Sequence, residues 1–152
     1  MSEGQLTKHI EKFAHSLNLT LLSEQFRLGA YITDAIARDE NGSLVVIELK
    51  VKATKDTLAQ LLLYPHAIRK HLKKNDAVNI KIRSLLISTH VDSNVVELAK
   101  RVAGIEEIAI KICVGDETTG LKLVDPDEAG DRQVWDQSTI GRLGDFRLFS
   151  GS

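Results

Sequence analysis

The sequence predicts a single α/β domain, and three observations predict it. A chain of 152 residues with 43% apolar side chains is long enough to bury one ordinary core and short for two. Segments with apolar residues at helical spacing alternate with segments rich in β-branched residues. In the second half, strand, helix and strand follow in the order that joins a parallel pair by a crossover.

Leu6, Ile10, Phe13 and Leu17 recur at helical spacing and predict a helix over residues 2–16, opened by a capping box of Ser2 with Gln5, its apolar stripe facing a sheet. Leu19 to Leu28 reads as extended and leads into Gly29. Tyr31–Arg38 and Ser43–Val51 are β-rich, and the turn-forming Asp39-Glu40-Asn41-Gly42 between them predicts an antiparallel hairpin. Residues 54 to 72 are helical through Leu58, Leu61, Leu62 and Ile68, with a kink or break expected near Tyr64 because Pro65 has no N–H to donate. Val78–Thr89 predicts a long strand, Ser93–Ala103 a helix ending at Gly104, and Ile108–Val114 another strand. After Val124 the pattern fades. Residues 125–131 are acidic and turn-forming, so 125–152 is expected to be a tail, or an arm that packs on the body or on a partner, with Trp135 and Phe146 as its anchors. A base-stacking role for those two rings is not expected, because little positive charge lies near them in the sequence.

Lys+Arg 20 against Asp+Glu 21 gives a net charge of -1, which argues against a uniformly basic, histone-like protein. The charge is uneven. From Lys50 to Arg83 there are nine Lys/Arg and two acids, whereas from Asp116 onward there are eight Asp/Glu and four Lys/Arg. A basic middle gathered on one face would attract a polyanion by neutralising phosphates; spread around, it is only a solvated helix. The single cysteine, Cys113, rules out an internal disulfide framework and a multi-cysteine zinc site. No segment has the length and apolarity of a membrane span, and no leader-like segment opens the sequence. A cytoplasmic protein without a membrane partner is expected.

The chemistry concentrates in Leu44-Val45-Val46-Ile47-Glu48-Leu49-Lys50. Side chains alternate across a strand, so Val45, Ile47 and Leu49 share one face and Val46, Glu48 and Lys50 the other. Two apolar faces mean a buried strand, yet its last same-face pair is an acid and a base, each costly to bury without a partner or a metal. A hairpin turn centred on Asn41 sets Asp34 directly opposite Glu48, at about 4.5–5.5 Å between Cβ atoms. Two carboxylates that close repel each other unless a divalent cation neutralises both or one takes up a proton. Oxygen ligands of this kind suit Mg2+ or Mn2+. Lys50 is placed to orient or deprotonate the attacking water, or to stabilise charge on a phosphate. Gln60 and Tyr64 are four residues apart on one helical face and can reach the same pocket. Taken singly, each has an ordinary structural use, such as a Glu48–Lys50 salt bridge with Asp34 capping a turn; the set is what is specific.

In this order, Asp34, Glu48-Leu49-Lys50 and Gln60-x-x-x-Tyr64 resemble the PD-(D/E)xK nuclease superfamily. Val45 to Lys50 followed by Gln60 to Tyr64 is most similar to the nuclease domain of NucS-type and RecB-like endonucleases, with the likeness extending over residues 1–115. The resemblance implies a restriction-endonuclease-like fold, a mixed central β-sheet flanked by α-helices, within residues 1–124. It implies Asp34 and Glu48 as ligands of a catalytic Mg2+ or Mn2+, Lys50 as the catalytic lysine, and Gln60 and Tyr64 as accessory catalytic residues. These families also place an acid on the first helix; Glu3 matches that position as a further catalytic and metal-binding residue, with Glu11 as second choice.

Departures are equally legible. Where the family has Gly-Arg-Ile-Asp, this chain has Tyr31-Ile32-Thr33-Asp34, so an arginine is missing; Pro65 directly follows Tyr64; and the expectation is of a chain without the additional DNA-binding domain of NucS-type enzymes. The expectation is a metal-dependent endonuclease that hydrolyses DNA phosphodiester bonds, with Lys52, Lys55, Arg69, Lys70, Lys73 and Lys74 on the nucleic-acid backbone. RNA stays open as a substrate. Cutting both strands takes two sites, so a homodimer is expected. The rival is an inactive nuclease-fold module for DNA binding or assembly, which the missing arginine favours.

Overall fold

Ser2 Oγ accepts the Gln5 N–H and the Gln5 side chain accepts the Ser2 N–H, the reciprocal cap expected from the sequence. In the computed structural model, which describes residues 1–74 and 79–136, this cap opens α1 (Glu3–Lys8). The helix expected to run unbroken to residue 16 is instead interrupted at His9 (φ −103°, ψ 9°), which starts α2 (Ile10–Ser16). Leu6, Ile10, Phe13 and Ala14 are all buried against one core, so the two short helices still present the single apolar stripe read from the sequence.

Strands β1 (Thr20–Leu28), β2 (Tyr31–Arg38) and β3 (Leu44–Ala53) form an antiparallel meander. Gly29, at φ +60°, turns β1 into β2. The next turn closes as predicted: the Asp39 side chain accepts the Asn41 and Ser43 N–H groups, and Gly42 takes φ +81°. Helix α3 (Lys55–Lys74) then crosses to β4 (Ile82–Asp92), and α4 (Ser93–Arg101) crosses to β5 (Ile108–Asp116), so β3, β4 and β5 run parallel. The parallel β4–β5 pair was legible in the sequence. Strand β6 (Gly120–Val124), antiparallel to β5, was not. The order β1-β2-β3-β4-β5-β6 makes one mixed sheet. Helices α1 and α2 cover the Val45–Ile47–Leu49 face, while α3 and α4 cover the other, where Leu86, Ile110 and Ile112 lie. This is the mixed sheet flanked by helices that the resemblance implies.

Two further expectations are corrected. Of the kink or break expected near Tyr64, the break does not occur: α3 runs on through Pro65, which is buried inside it. Proline removes the N–H that would bond the Leu61 carbonyl, and the Ser84 hydroxyl of β4 takes over that carbonyl at 3.1 Å. The strand expected from Val78 begins at Ile82; Val78 itself lies outside the described residues. Beyond β6, a 3-10 turn (Pro126–Glu128) leads to β7 (Val134–Trp135), which pairs parallel with β4 at Val91 and Asp92. Phe146 lies outside the described residues. Among the described residues, no helix is long and apolar enough to cross a membrane.

Candidate active site

The β2–β3 ladder pairs Arg38 with Leu44 through to Ala35 with Ile47, the register expected from the turn. Beyond Ala35 regular pairing stops, and β2 reaches β3 with side chains instead. The Thr33 hydroxyl donates to the Ile47 carbonyl at 2.8 Å, and Asp34 Oδ2 accepts the Leu49 N–H at 2.7 Å. That second bond anchors the Asp34 carboxylate against the backbone on either side of which Glu48 and Lys50 project.

Glu48 is 5% exposed, and its Oε2 is shut from solvent without a donor. A buried carboxylate in this state is expensive. Burial raises the Glu48 pKa to about 9; the Asp34 charge and a hydrogen bond to Asp34 push the same way, Lys50 opposes, and Glu3 adds a smaller upward push. At neutral pH, without a cation, Glu48 therefore keeps its proton. Tyr64, buried on α3, is pushed above the usual tyrosine range by burial first and by the charges of Glu48 and Asp34 second. Lys50 is half-buried, with Nζ 3.9 Å from Glu3 Oε1. Beyond it, the end of β3 is held to β4 by the Ser88 and Thr89 hydroxyls, both on the Val51 carbonyl. Gln60 is half-buried one turn before Tyr64, and among the described residues no hydrogen bond ties its side chain.

Asp34, Glu48, Lys50, Tyr64 and Glu3 thus act electrostatically on one another, but the three acids are not equivalent. Among the described residues, no three Asp, Glu, His or Cys side chains converge to hold a metal ion. Glu3, reaching the site from the start of α1, raises the Glu48 pKa only weakly. It sits by Lys50, and Glu11, the second choice, is exposed on α2. The adjacent Asp34 and Glu48 carboxylates, one with an orphaned buried oxygen, do fit a divalent cation, which would neutralise the pair and take that oxygen as ligand.

The basic residues divide into engaged and free. Arg69, expected on the nucleic-acid backbone, is engaged within the protein: its guanidinium bonds both Glu106 carboxylate oxygens and the Ile82 carbonyl. Lys81 pairs with Glu107 at 3.3 Å and Arg83 with Asp39 at 3.1 Å. Lys52 lies over the Trp135 ring, 4.3 Å from its centroid, a positive charge that the sequence around that tryptophan did not announce. Lys55, Lys70, Lys73 and Lys74 are exposed along α3, without an ion pair among the described residues.

Sequence reading missed Thr33, Ser84 and the Lys52–Trp135 contact. Thr33 sits next to Asp34 but looks like any strand threonine, and Ser84 had a signal only in Pro65 standing four residues after Leu61.

Comparison with known proteins agrees with this fold. An EndoMS complex with dsDNA matches the structure at a TM-score of 0.56 with 22% identity, covering 72% of this chain and 44% of that one. A repair endonuclease from Pyrococcus abyssi matches at 0.57 with 19% identity, covering 74% and 46%. EndoMS in apo form matches at 0.54 with 20% identity, covering 77% and 48%. At these identities the likeness is one of fold, and the chain spans less than half the length of each of these proteins. No curated protein matches the sequence. The endonuclease NucS C-terminal domain family matches residues 3–115, from the first turn of α1 almost to the end of β5 and across every residue of the site, and to that family this chain belongs.

Proposed function

We propose that the chain hydrolyses phosphodiester bonds of DNA, as a nuclease of the PD-(D/E)xK kind, at Asp34, Glu48 and Lys50. The observation that carries the reading is the buried Glu48 oxygen without a donor, beside a second carboxylate. Two acids gathered out of water are tolerable when a cation joins them. Asp34 and Glu48 would hold Mg2+ or Mn2+, which supplies Lewis-acid stabilisation of charge on the phosphate.

The chain's own groups do the rest. The Leu49 N–H keeps Asp34 in place, and Glu48 would have to lose its proton to solvent to serve as a ligand beside it. The Lys50 ammonium, close to Glu3, orients the attacking water and offsets the charge that builds on the phosphate oxygens. Tyr64 walls the pair on the α3 side with its phenol held neutral, and Gln60 stands one turn away on the same helix. Lys55, Lys70, Lys73 and Lys74 bind the backbone by charge. Membership of an endonuclease domain family and the fold shared with the dsDNA-bound EndoMS support DNA as the substrate. Cleavage of both strands calls for two copies of the site, so the active form is proposed to be a homodimer.

The test is cleavage of plasmid and mismatched duplex with Mg2+ or Mn2+ by the wild type, Asp34→Ala and Lys50→Ala. Loss of cleavage in both variants is expected, and equal activity in all three overturns the assignment. Ile32, standing where the family has arginine, favours a second reading, a nuclease-fold binding module without turnover. That module would bind DNA in a salt-sensitive way, cut nothing, and take up no Mn2+ through Asp34 and Glu48 in a calorimetric titration.

A further inference from the structure

Helix α4, strand β5 and the 3-10 turn border an open groove of about 260 Å³, lined by Val96 and Ala99 of α4, Ala103 just after it, Ile108 and Ile110 of β5, and Pro126. An apolar space of roughly 150 Å³ already admits a benzene-sized group, so this groove has room for a branched aliphatic side chain. Between two of its lining residues in the chain, Ala103 and Ile108, stands Ile105, which is 82% exposed. The turn that carries it is fixed: the Ile105 and Glu106 N–H groups both donate to the Val102 carbonyl, at 2.8 and 2.9 Å, and the Glu106 carboxylate is held by Arg69. Charges of opposite sign flank the groove, Lys100 on α4 and Asp127 with Glu128 on the 3-10 turn, all three exposed. Their neighbours Arg101 and Asp125 are paired with Glu97 and Lys111, whereas Lys100, Asp127 and Glu128 have no ion pair among the described residues.

We propose that this face docks a second copy of the chain about a two-fold axis, each copy's Ile105 entering the other's groove and each Lys100 meeting the other's Asp127 and Glu128. The surface uses no residue of the catalytic site. The inference goes beyond the preceding reading by naming where two copies meet, and it stands whether or not the chain cuts DNA.

The combination of groups selects this occupant. A single exposed apolar side chain is ordinary on a protein surface and calls for no partner. Here an apolar knob, an apolar hole and two unpaired charges of opposite sign belong to one face. A surface that docks on its own copy must carry both halves of every contact, since residue i of one copy meets residue j of the other and j meets i. A small apolar ligand would fill the groove but leave Ile105 in water and the charges without partners. The second copy uses all of them. Because the turn at Ile105 is already held by Val102 and by the Glu106–Arg69 contact, little ordering is lost when the knob enters its hole. The charges at the rim add direction and fix the alignment of the two copies.

The test is sedimentation velocity of the whole chain, without DNA, over a range of concentrations. The wild type is expected to show a reversible monomer–dimer equilibrium, and Ile105→Asp to raise its dissociation constant about tenfold or more. Lys100→Glu and the double variant Asp127→Lys/Glu128→Lys should each weaken self-association about threefold or more, because each sets like charges against each other twice across the axis. Mixed one to one, these two variants should associate with each other about as well as the wild type does with itself, since both sets of contacts are then attractive. All four positions are exposed, so the substitutions leave the core intact. A wild type that is monomeric at every concentration, an Ile105→Asp chain that dimerises like the wild type, or a mixture that behaves as the sum of its two components overturns the proposal. A chain that dimerises in this pattern but never hydrolyses DNA refutes only the proposed activity; one that cuts DNA while Ile105→Asp dimerises unchanged refutes only the docking face.

Discussion

Glu48 stands on a strand where every neighbour from Val45 to Leu49 is apolar and buried. Its folded pKa of about 9 lies above the ordinary 4.5, so between those values the folded chain holds a proton that the unfolded chain has released. The stability gained from this is complete below about pH 4.5 and is lost as pH rises toward 9, at up to about 1.4 kcal/mol per pH unit. We expect the thermal midpoint of the metal-free wild type to fall over this window, and that of Glu48→Gln, which cannot ionise, to fall less; parallel curves would contradict the assignment. At this scale Asp34, Glu48 and Lys50 were legible because alternation on a strand is a strict rule. Thr33 was not, since its function lies in a bond to the Ile47 carbonyl fourteen residues away.

Helix α3 shows how an element depends on its neighbour. Pro65 would end an isolated helix, but the orphaned Leu61 carbonyl is met by the Ser84 hydroxyl, and the helix continues to carry Tyr64 and the lysines beyond it on one scaffold. Ser84→Ala should cost about 1–3 kcal/mol, because the carbonyl is left buried and unpaired. In a Pro65→Ala background, where an N–H returns to that position, the cost should shrink by about 0.5 kcal/mol or more, as measured by urea unfolding in a double-mutant cycle. Additive effects would show that the two positions are not linked in this way. The periodicity of α3 was plain in the sequence; its continuity was not, because the compensating group belongs to a strand that proline rules do not consult.

Across the whole molecule, the basic run from Lys50 to Arg83 resolves into two populations. Arg69, Lys81 and Arg83 bind acids from other elements, while Lys55, Lys70, Lys73 and Lys74 project from α3. Arg69→Ala should lower stability by about 1–3 kcal/mol in urea unfolding, since it strips the buried Glu106 of its partner. Lys70→Ala and Lys74→Ala should stay within about 0.5 kcal/mol of the wild type. Equal effects would mean that the division is wrong. By itself, the sequence determined the α/β class, the hairpin register and the Asp34–Glu48–Lys50 grouping, because strand alternation and turn geometry are local rules that act over a few residues. Only the tertiary structure decided that Glu3 stands by Lys50, that Arg69 is engaged, and that Trp135 meets Lys52. Each of those outcomes depends on which face a distant segment covers, and that is settled by packing across the sheet, which no spacing along the chain encodes.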